Sequence, residues 1–308
     1  MTAYRFCRSD DIGLLVDALN RCWSPYFPDE PPVTPAAFKR SIRDLQVWCS
    51  SCMVAFSGPD PIGVLIGDKR PSGTLIYKIA VHPDHRRQGH GRHLLASLGS
   101  KLAILGPPRI IAEVPETLAP ACELFSASGY VPEALLTDYV LHDVGPNFRL
   151  RQGYGGLAEA SAEAVSSAAP RTEEGNAGRY VIPVTVDDLA ANGLLGEADH
   201  QVCWERSIET LSARKEDIAG LAVASDERIE AYVLYEPRAP EAAILALRTF
   251  IDDGGARLDQ LLARLPAQDV VFRFPKVHPS EISQELLETP GFRSAGGHRL
   301  YAARARAG

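Results

Sequence analysis

The chain has 308 residues, of which 45% are hydrophobic and 23% are charged. A chain of this length and composition can bury a sizeable core, in two globular domains or in one large one. Its formal net charge of −7 argues against a nucleic-acid partner, because proteins that bind nucleic acids usually carry a basic surface.

The sequence also lacks membrane and secretion signals. No stretch approaches the ~20 consecutive apolar residues that a bilayer-spanning helix needs. The N-terminal residues show no basic segment followed by an apolar one. We therefore expect a cytoplasmic protein without a membrane partner.

Strand and helix patterns alternate over residues 1–145, which we predict to form the first domain, here called the first half. A strand before Ser9 leads into a helix with one apolar face. A proline-rich loop at 24–35 follows. The remaining predicted elements are a helix at 35–45, strands at 48–56, 62–68 and 74–81, a leucine-striped helix ending at Gly106, a strand at 109–114, a helix at 119–127 and two closing strands within 130–141.

Residues 146–178 are rich in Gly, Ala, Ser and Glu, which predicts a linker. The strand–helix order then begins again over residues 179–308, the predicted second domain or second half, at a spacing of roughly 170 residues. A tandem duplication explains this repetition. We predict an α/β fold in which each half is a mixed, largely antiparallel sheet with helices on both faces. One continuous doubly wound sheet across both halves would contradict the duplication.

The stretch VHPDHRRQGHGRHLLASL, which begins at Val81, places glycines and arginines between a strand and a helix. The first amides of a helix have no partner within it, and the helix dipole adds positive potential at that end. Glycines let an anion approach the backbone, and arginines add charge and donors. The stretch therefore predicts a diphosphate site, which we call the glycine-rich loop (residues 86–92).

The loop and the strand before it resemble the signature of the GNAT superfamily of acetyl-CoA-dependent N-acyltransferases. That signature, (Arg/Gln)-x-x-Gly-x-(Gly/Ala) after the fourth strand, is matched by Arg86, Gly89 and Gly91. By element order the resemblance extends over residues 3–143. It implies two tandem GNAT-like domains, with acetyl-CoA as the co-substrate and a primary amine of a small molecule or peptide as the acceptor.

The resemblance also implies residue roles. Backbone groups of Ile79, Ala80 and Val81 would hold the pantetheine arm of the cofactor. The acceptor amine would enter where the fourth and fifth strands splay apart, near Val81 and Val114. The pyrophosphate would be held by the glycine-rich loop, which comprises Arg86, Arg87, Gln88, Gly89, His90, Gly91 and Arg92.

The chain departs from the family where a proton donor is expected. Many members have a tyrosine acid at the position of Phe125, which would still contact the cofactor but cannot donate a proton. Tyr130 and Tyr139 are the substitutes. Tyr139 is the candidate acid, because Tyr130 is expected to pack in the core.

The candidate base is Glu113 on the fifth strand, since the fourth strand, TLIYKIAV, has no carboxylate. A strand-end glutamate is also a common solvated edge residue. Asp29 and Glu30 lie in the proline-rich loop that should line the acceptor groove, so we expect them to bind the amine.

No metal site is predicted. Cys49 and Cys52 form a lone CxxC pair without a second pair or two nearby histidines. The four histidines within residues 82–93 straddle a loop and a helix start, with no carboxylate pattern beside them.

The equivalent of the glycine-rich loop in the second half begins with Asp252 and Asp253. These carboxylates would repel a pyrophosphate, which predicts a degenerate second domain that serves structure or substrate capture. The sequence thus predicts an N-acetyltransferase with one working site, in the first half. The alternative is an acyl-CoA-binding sensor or scaffold without turnover. The acceptor and the oligomeric state, a homodimer included, stay open.

Overall fold

The computed structural model describes residues 2–142, 180–195, 202–265 and 270–305, so the predicted linker at 146–178 lies outside the described residues. In the first half the elements are β1 (Thr2–Phe6), α1 (Ile12–Cys22), α2 (Pro35–Leu45), β2 (Met53–Ser57), β3 (Asp60–Arg70), β4 (Gly73–Val81), α3 (His90–Leu105), β5 (Arg109–Pro115), α4 (Ala119–Ala127) and β6 (Val131–Leu141).

The described part of the second half repeats this order of strands and helices, as predicted. Its elements are β7 (Tyr180–Pro183), α5 (Val186–Ala191), α6 (Ile208–Ala213), β8 (Ala219–Ala224), β9 (Ile229–Glu236), β10 (Glu241–Thr249), α7 (Ala256–Leu262), β11 (Val271–Val277), α8 (Gln284–Glu288) and β12 (Arg293–Arg304). Its first helix begins with a capping box, in which Thr185 and Asp188 bond each other's backbone N–H groups.

The strands in the described ranges form one sheet, in the order β1-β2-β3-β4-β5-β12-β6-β11-β10-β9-β8-β7. The pairs β4–β5 and β10–β11 are parallel. The other neighbours are antiparallel. The sheet is therefore mixed and largely antiparallel, as predicted, and it is not doubly wound.

The last strands of the two halves are exchanged. β12 lies between β5 and β6, so that Leu300 is opposite Glu113 on one side and Ala134 on the other. β6 in turn pairs with β11 of the second half. The prediction of one sheet in each half is therefore wrong. The prediction of two closing strands within 130–141 is also wrong, because this segment is one strand whose new neighbour comes from the end of the chain.

Helices cover both faces of the first half. α1 and α2 pack on one face, in a core that includes Leu15, Leu19 and Phe38. α3 and α4 pack on the other face, in a core that includes Leu94 and Phe125. None of the helices in the described ranges is long and apolar enough to cross a membrane.

The strand exchange predicts that a residue near the end of the chain stabilises the first half. Tyr301 on β12 is 2% exposed and stacks on Phe125 with ring centroids 5.7 Å apart. We expect Tyr301→Ala to lower the free energy of unfolding by about 3–5 kcal/mol, as measured by urea denaturation, because it leaves an aromatic-sized cavity.

Tyr180→Ala is the matched control, because Tyr180 lies on an edge strand and is 60% exposed. It should cost less than about 1 kcal/mol. Faster hydrogen exchange of the β5 amides in Tyr301→Ala would place the loss in the first half, and unchanged exchange there would contradict the prediction.

Candidate active site

A cavity opens where β4 and β5 diverge. The two strands pair at their start, Thr74 with Ile110 and Leu75 with Ile111. Beyond these pairs lies a cavity of about 730 Å³, lined on one side by residues 79–81 at the end of β4. Backbone groups there have no neighbouring strand on the cavity side, so an extended ligand can pair with them.

The glycine-rich loop forms one end of this cavity. Gly89 is the N-cap of α3, has a φ of 85°, and leaves the helix without a side-chain cap. The first amides of α3 are therefore available to an anion. The loop residues that line the cavity are Arg86, Arg87, Gly89, His90, Gly91 and Arg92. Gln88 is not among the lining residues.

An aromatic wall, which the sequence analysis missed, closes the side of the cavity nearest α1. It consists of Trp23, Tyr26 and Phe27. The Tyr26 hydroxyl donates to the Val81 carbonyl at 2.5 Å and accepts from Arg86 Nε at 2.5 Å, while the guanidinium lies 4.2 Å from the ring centroid. The available signal was the pair of aromatic residues at the start of the proline-rich loop.

His90 is the buried member of the histidine group. It is 6% exposed, its Nδ1 lies 2.7 Å from the Tyr4 hydroxyl, and its Nε2 has no hydrogen-bond partner. Burial, and to a lesser degree His85 and His93, lowers the pKa of His90, so the ring is neutral at physiological pH. No group of side chains suited to holding a metal ion is found in the described ranges.

The acetyltransferase (GNAT) family model matches residues 14–130, which contain β4, the glycine-rich loop and α3. Over these residues the chain is similar to the GNAT family, and this similarity supports acyl transfer.

Solved structures extend the likeness to the whole chain. A tandem GNAT protein from the clavulanic acid biosynthesis pathway is 16% identical, with 99% of each chain covered and a TM-score of 0.57. A GCN5-related N-acetyltransferase from Sphaerobacter thermophilus is 13% identical, with 100% of this chain and 96% of that chain covered and a TM-score of 0.62. At such identities the likeness shows the fold, which is that of a tandem GNAT protein. No curated protein matches the chain.

The second half surrounds Glu113, the predicted base of the GNAT domain. The Glu113 side chain is 3% exposed and is not among the residues lining the cavity. Its Oε1 accepts a hydrogen bond from the Trp204 N–H at 2.9 Å. Its Oε2 lies 3.0 Å from Lys276 Nζ, so the two groups form an ion pair. The angles of this contact are not those of a hydrogen bond. Lys276 also donates to Glu205 at 3.0 Å.

Phe125, at the position of the family's acid, and Tyr139, the candidate substitute, lie in cores and do not line the cavity. Phe125 packs edge-on against Tyr130 and stacks on Tyr301, both within the first-half core. Tyr139 lies opposite Phe274 on β11 and belongs to the core of the second half. The strand exchange is the reason, because it carries β6 away from β5. The structure therefore gives Tyr139 no contact that supports an acid role.

The predicted amine-binding residues lie beside the aromatic wall. Asp29 is exposed. Glu30 accepts a hydrogen bond from Trp23 Nε1 at 3.1 Å and lies 3.7 Å from Lys78 Nζ. Lys78 itself sits 4.3 Å from the Trp23 ring centroid. The glutamate thus already has a cation near it, which weakens the expectation that it binds an amine.

The equivalent loop of the second half holds an anion of its own. Gly255, with a φ of 93°, begins α7 as Gly89 begins α3. Asp253 accepts hydrogen bonds from the N–H groups of Gly255 at 3.1 Å and Arg257 at 3.0 Å. The Arg257 side chain bonds Asp253 and Glu230, each at 2.6 Å. A carboxylate of the chain itself thus accepts the hydrogen bonds at this helix start. The degenerate second domain stays a prediction.

The glycine-rich loop predicts that a carboxylate at Gly91 prevents acetyl-CoA binding. A Cβ at this position would contact Leu124 Cδ2 at 3.0 Å, inside the cavity lining. A carboxylate ~4 Å from a diphosphate costs about 4 kcal/mol at an effective dielectric constant near 20, which is close to a thousandfold in affinity. We expect Gly91→Glu to lose at least this much affinity in a calorimetric titration while staying folded.

Gly99→Glu is the control on the same helix, since a Cβ at Gly99 meets nothing within 4 Å. It lies about 12 Å further along α3 and should bind acetyl-CoA as the wild type does. Wild-type affinity in Gly91→Glu would show that the loop is only a helix start.

Proposed function

We propose that the protein is an N-acetyltransferase that transfers the acetyl group of acetyl-CoA directly to a primary amine of a small molecule or peptide. The observation that carries this proposal is the cavity at the end of β4, which the starts of α3 and α4 also line. It combines β4 backbone beside which β5 no longer pairs with the uncapped N-terminus of α3. An extended arm that ends in a diphosphate is the ligand that such a combination fits.

The residues present fit acetyl-CoA. Gly89 has a backbone conformation that favours glycine, and Gly91 has little room for a side chain next to Leu124. Arg87 and Arg92 add positive charge at the diphosphate end of the cavity. Residues 79–81 would pair with the pantetheine arm, and the aromatic wall would form an apolar side of the cavity beside that arm.

In the transfer, the amine nitrogen bonds to the acetyl carbon and the carbon–sulfur bond breaks. The amine gives up one proton, and the departing thiolate takes one from solvent, because Phe125 has none to donate. Glu113 is our candidate for the base. It stands on β5 beyond the point where the strands diverge, and a water molecule would connect it to the amine.

One alternative has a specific observation behind it. Phe125 is buried and has no hydroxyl, and both oxygens of Glu113 already face partners. An acyl-CoA-binding sensor or scaffold without turnover would need neither group. Release of the coenzyme A thiol in the presence of an amine panel, measured beside acetyl-CoA binding, separates the two functions. Binding without release for every amine favours the sensor.

We expect Glu113→Gln to lower kcat by at least about 100-fold, which is the contribution typical of a general base. Steady-state kinetics would measure this with an amine that supports turnover in the wild type. Acetyl-CoA affinity should stay within a few fold, because Glu113 does not line the cavity.

Glu116→Gln is the matched control. Glu116 follows β5 and pairs on the surface with Arg299 at 3.0 Å, so kcat should be unchanged. A folded Glu113→Gln variant that keeps its kcat within threefold would remove Glu113 from the mechanism and leave the acetyltransferase proposal standing.

A further inference from the structure

Lys276 has an unusual backbone conformation in the second half. Its φ is 53°, in the left-handed region that side chains with a Cβ rarely adopt. It lies where the pairing of β11 with β6 shifts register, between Phe274 and Val277. The Lys276 N–H donates to Asp138 Oδ1 at 2.8 Å. This irregularity turns one lysine of the second half toward the first half.

The ammonium of Lys276 connects the halves. Its Nζ lies 3.0 Å from an oxygen of Glu113 and 3.0 Å from an oxygen of Glu205, and its side chain is 17% exposed. Burial opposes the charge, but Glu205 and Glu113 outweigh it and raise the pKa of Lys276. The lysine is therefore charged at physiological pH.

Glu113 lies among other acidic side chains, and Lys276 is a cation at ion-pair distance from it. Asp68 on β3 is fully buried, and neither of its oxygens has a hydrogen-bond partner. Arg70 is committed to Ser207 and Thr210, to which it donates at 2.6 and 2.5 Å. The charged and titratable groups around Glu113 are Lys276, Glu205, Asp68, Arg70, His298 and Cys203.

We propose that the second half completes the active site of the first half, with Lys276 as the positioning residue that orients the Glu113 side chain. This inference rests on the proposed function. The second half has filled its own anion site with Asp253, yet it supplies the contacts of both Glu113 oxygens, through Trp204 and Lys276. Substrate chemistry in one half thus depends on side chains of the other.

The test compares Lys276→Met with Lys276→Arg, both in the full chain. We expect Lys276→Met to lower kcat at least tenfold, with acetyl-CoA affinity unchanged. The cause would be the loss of the cation that lies 3.0 Å from the Glu113 carboxylate. Lys276→Arg keeps a cation opposite Glu113 and should restore kcat.

Lys215→Met is the control for the substitution itself. Lys215 is an exposed lysine of the second half that pairs with Asp187, and its removal should leave kcat as it is.

A double-mutant cycle separates positioning from mere stabilisation. If Lys276 acts through Glu113, the variant Glu113→Gln with Lys276→Met has the kcat of Glu113→Gln alone. The double variant removes both the Glu113 carboxylate and the Lys276 ammonium, so neither charge is left buried without the other, which favours folding. Additive losses of kcat, or a Lys276→Met enzyme with wild-type kcat, would overturn the inference. A wild type without turnover for any amine would instead overturn the proposed function itself.

Discussion

The exchange of β6 and β12 is the contact on which the rest of the structure depends. β4 is anchored along its whole length by β3, and β5 is anchored along its whole length by β12. Each strand therefore has one edge fully hydrogen-bonded, as buried backbone groups require. The facing edges can then part after two register pairs without loss of the sheet. A strand from the far end of the chain thus holds β5 in place where it leaves β4.

The two halves show one loop geometry with two different occupants. Gly89 and Gly255 both begin a helix from a left-handed backbone, and both leave amides facing outward. In the second half Asp253 is covalently present and accepts those hydrogen bonds. Burial opposes its charge, but the bonds from Arg257 and Gly255 outweigh that effect and lower the pKa of Asp253. In the first half no side chain caps the start of α3, so its first amides stay open to an external anion.

The second half contributes a strand and several side chains to the first half. It supplies β12 to the first-half sheet and Tyr301 to the first-half core. It also supplies Trp204, which packs in the core beneath α1 and α2. The Arg70 guanidinium carbon lies 4.0 Å from the Trp204 ring centroid, and the ring nitrogen of Trp204 donates a hydrogen bond to the Leu45 carbonyl. These contacts join the two halves, and they place second-half side chains next to β5.

The sequence by itself determined what depends on local patterns. The repeated order of elements, the mixed sheet and the glycine that begins α3 without a side-chain cap follow from periodicity and from residues that are neighbours in the chain. Only the tertiary structure decided which strand lies beside β5, that Phe125 and Tyr139 lie in cores, and that Lys276 faces Glu113. Those outcomes depend on pairings between residues more than a hundred positions apart. Local propensity does not predict such pairings, because the paired residues lie far apart in the chain and meet only in the folded sheet.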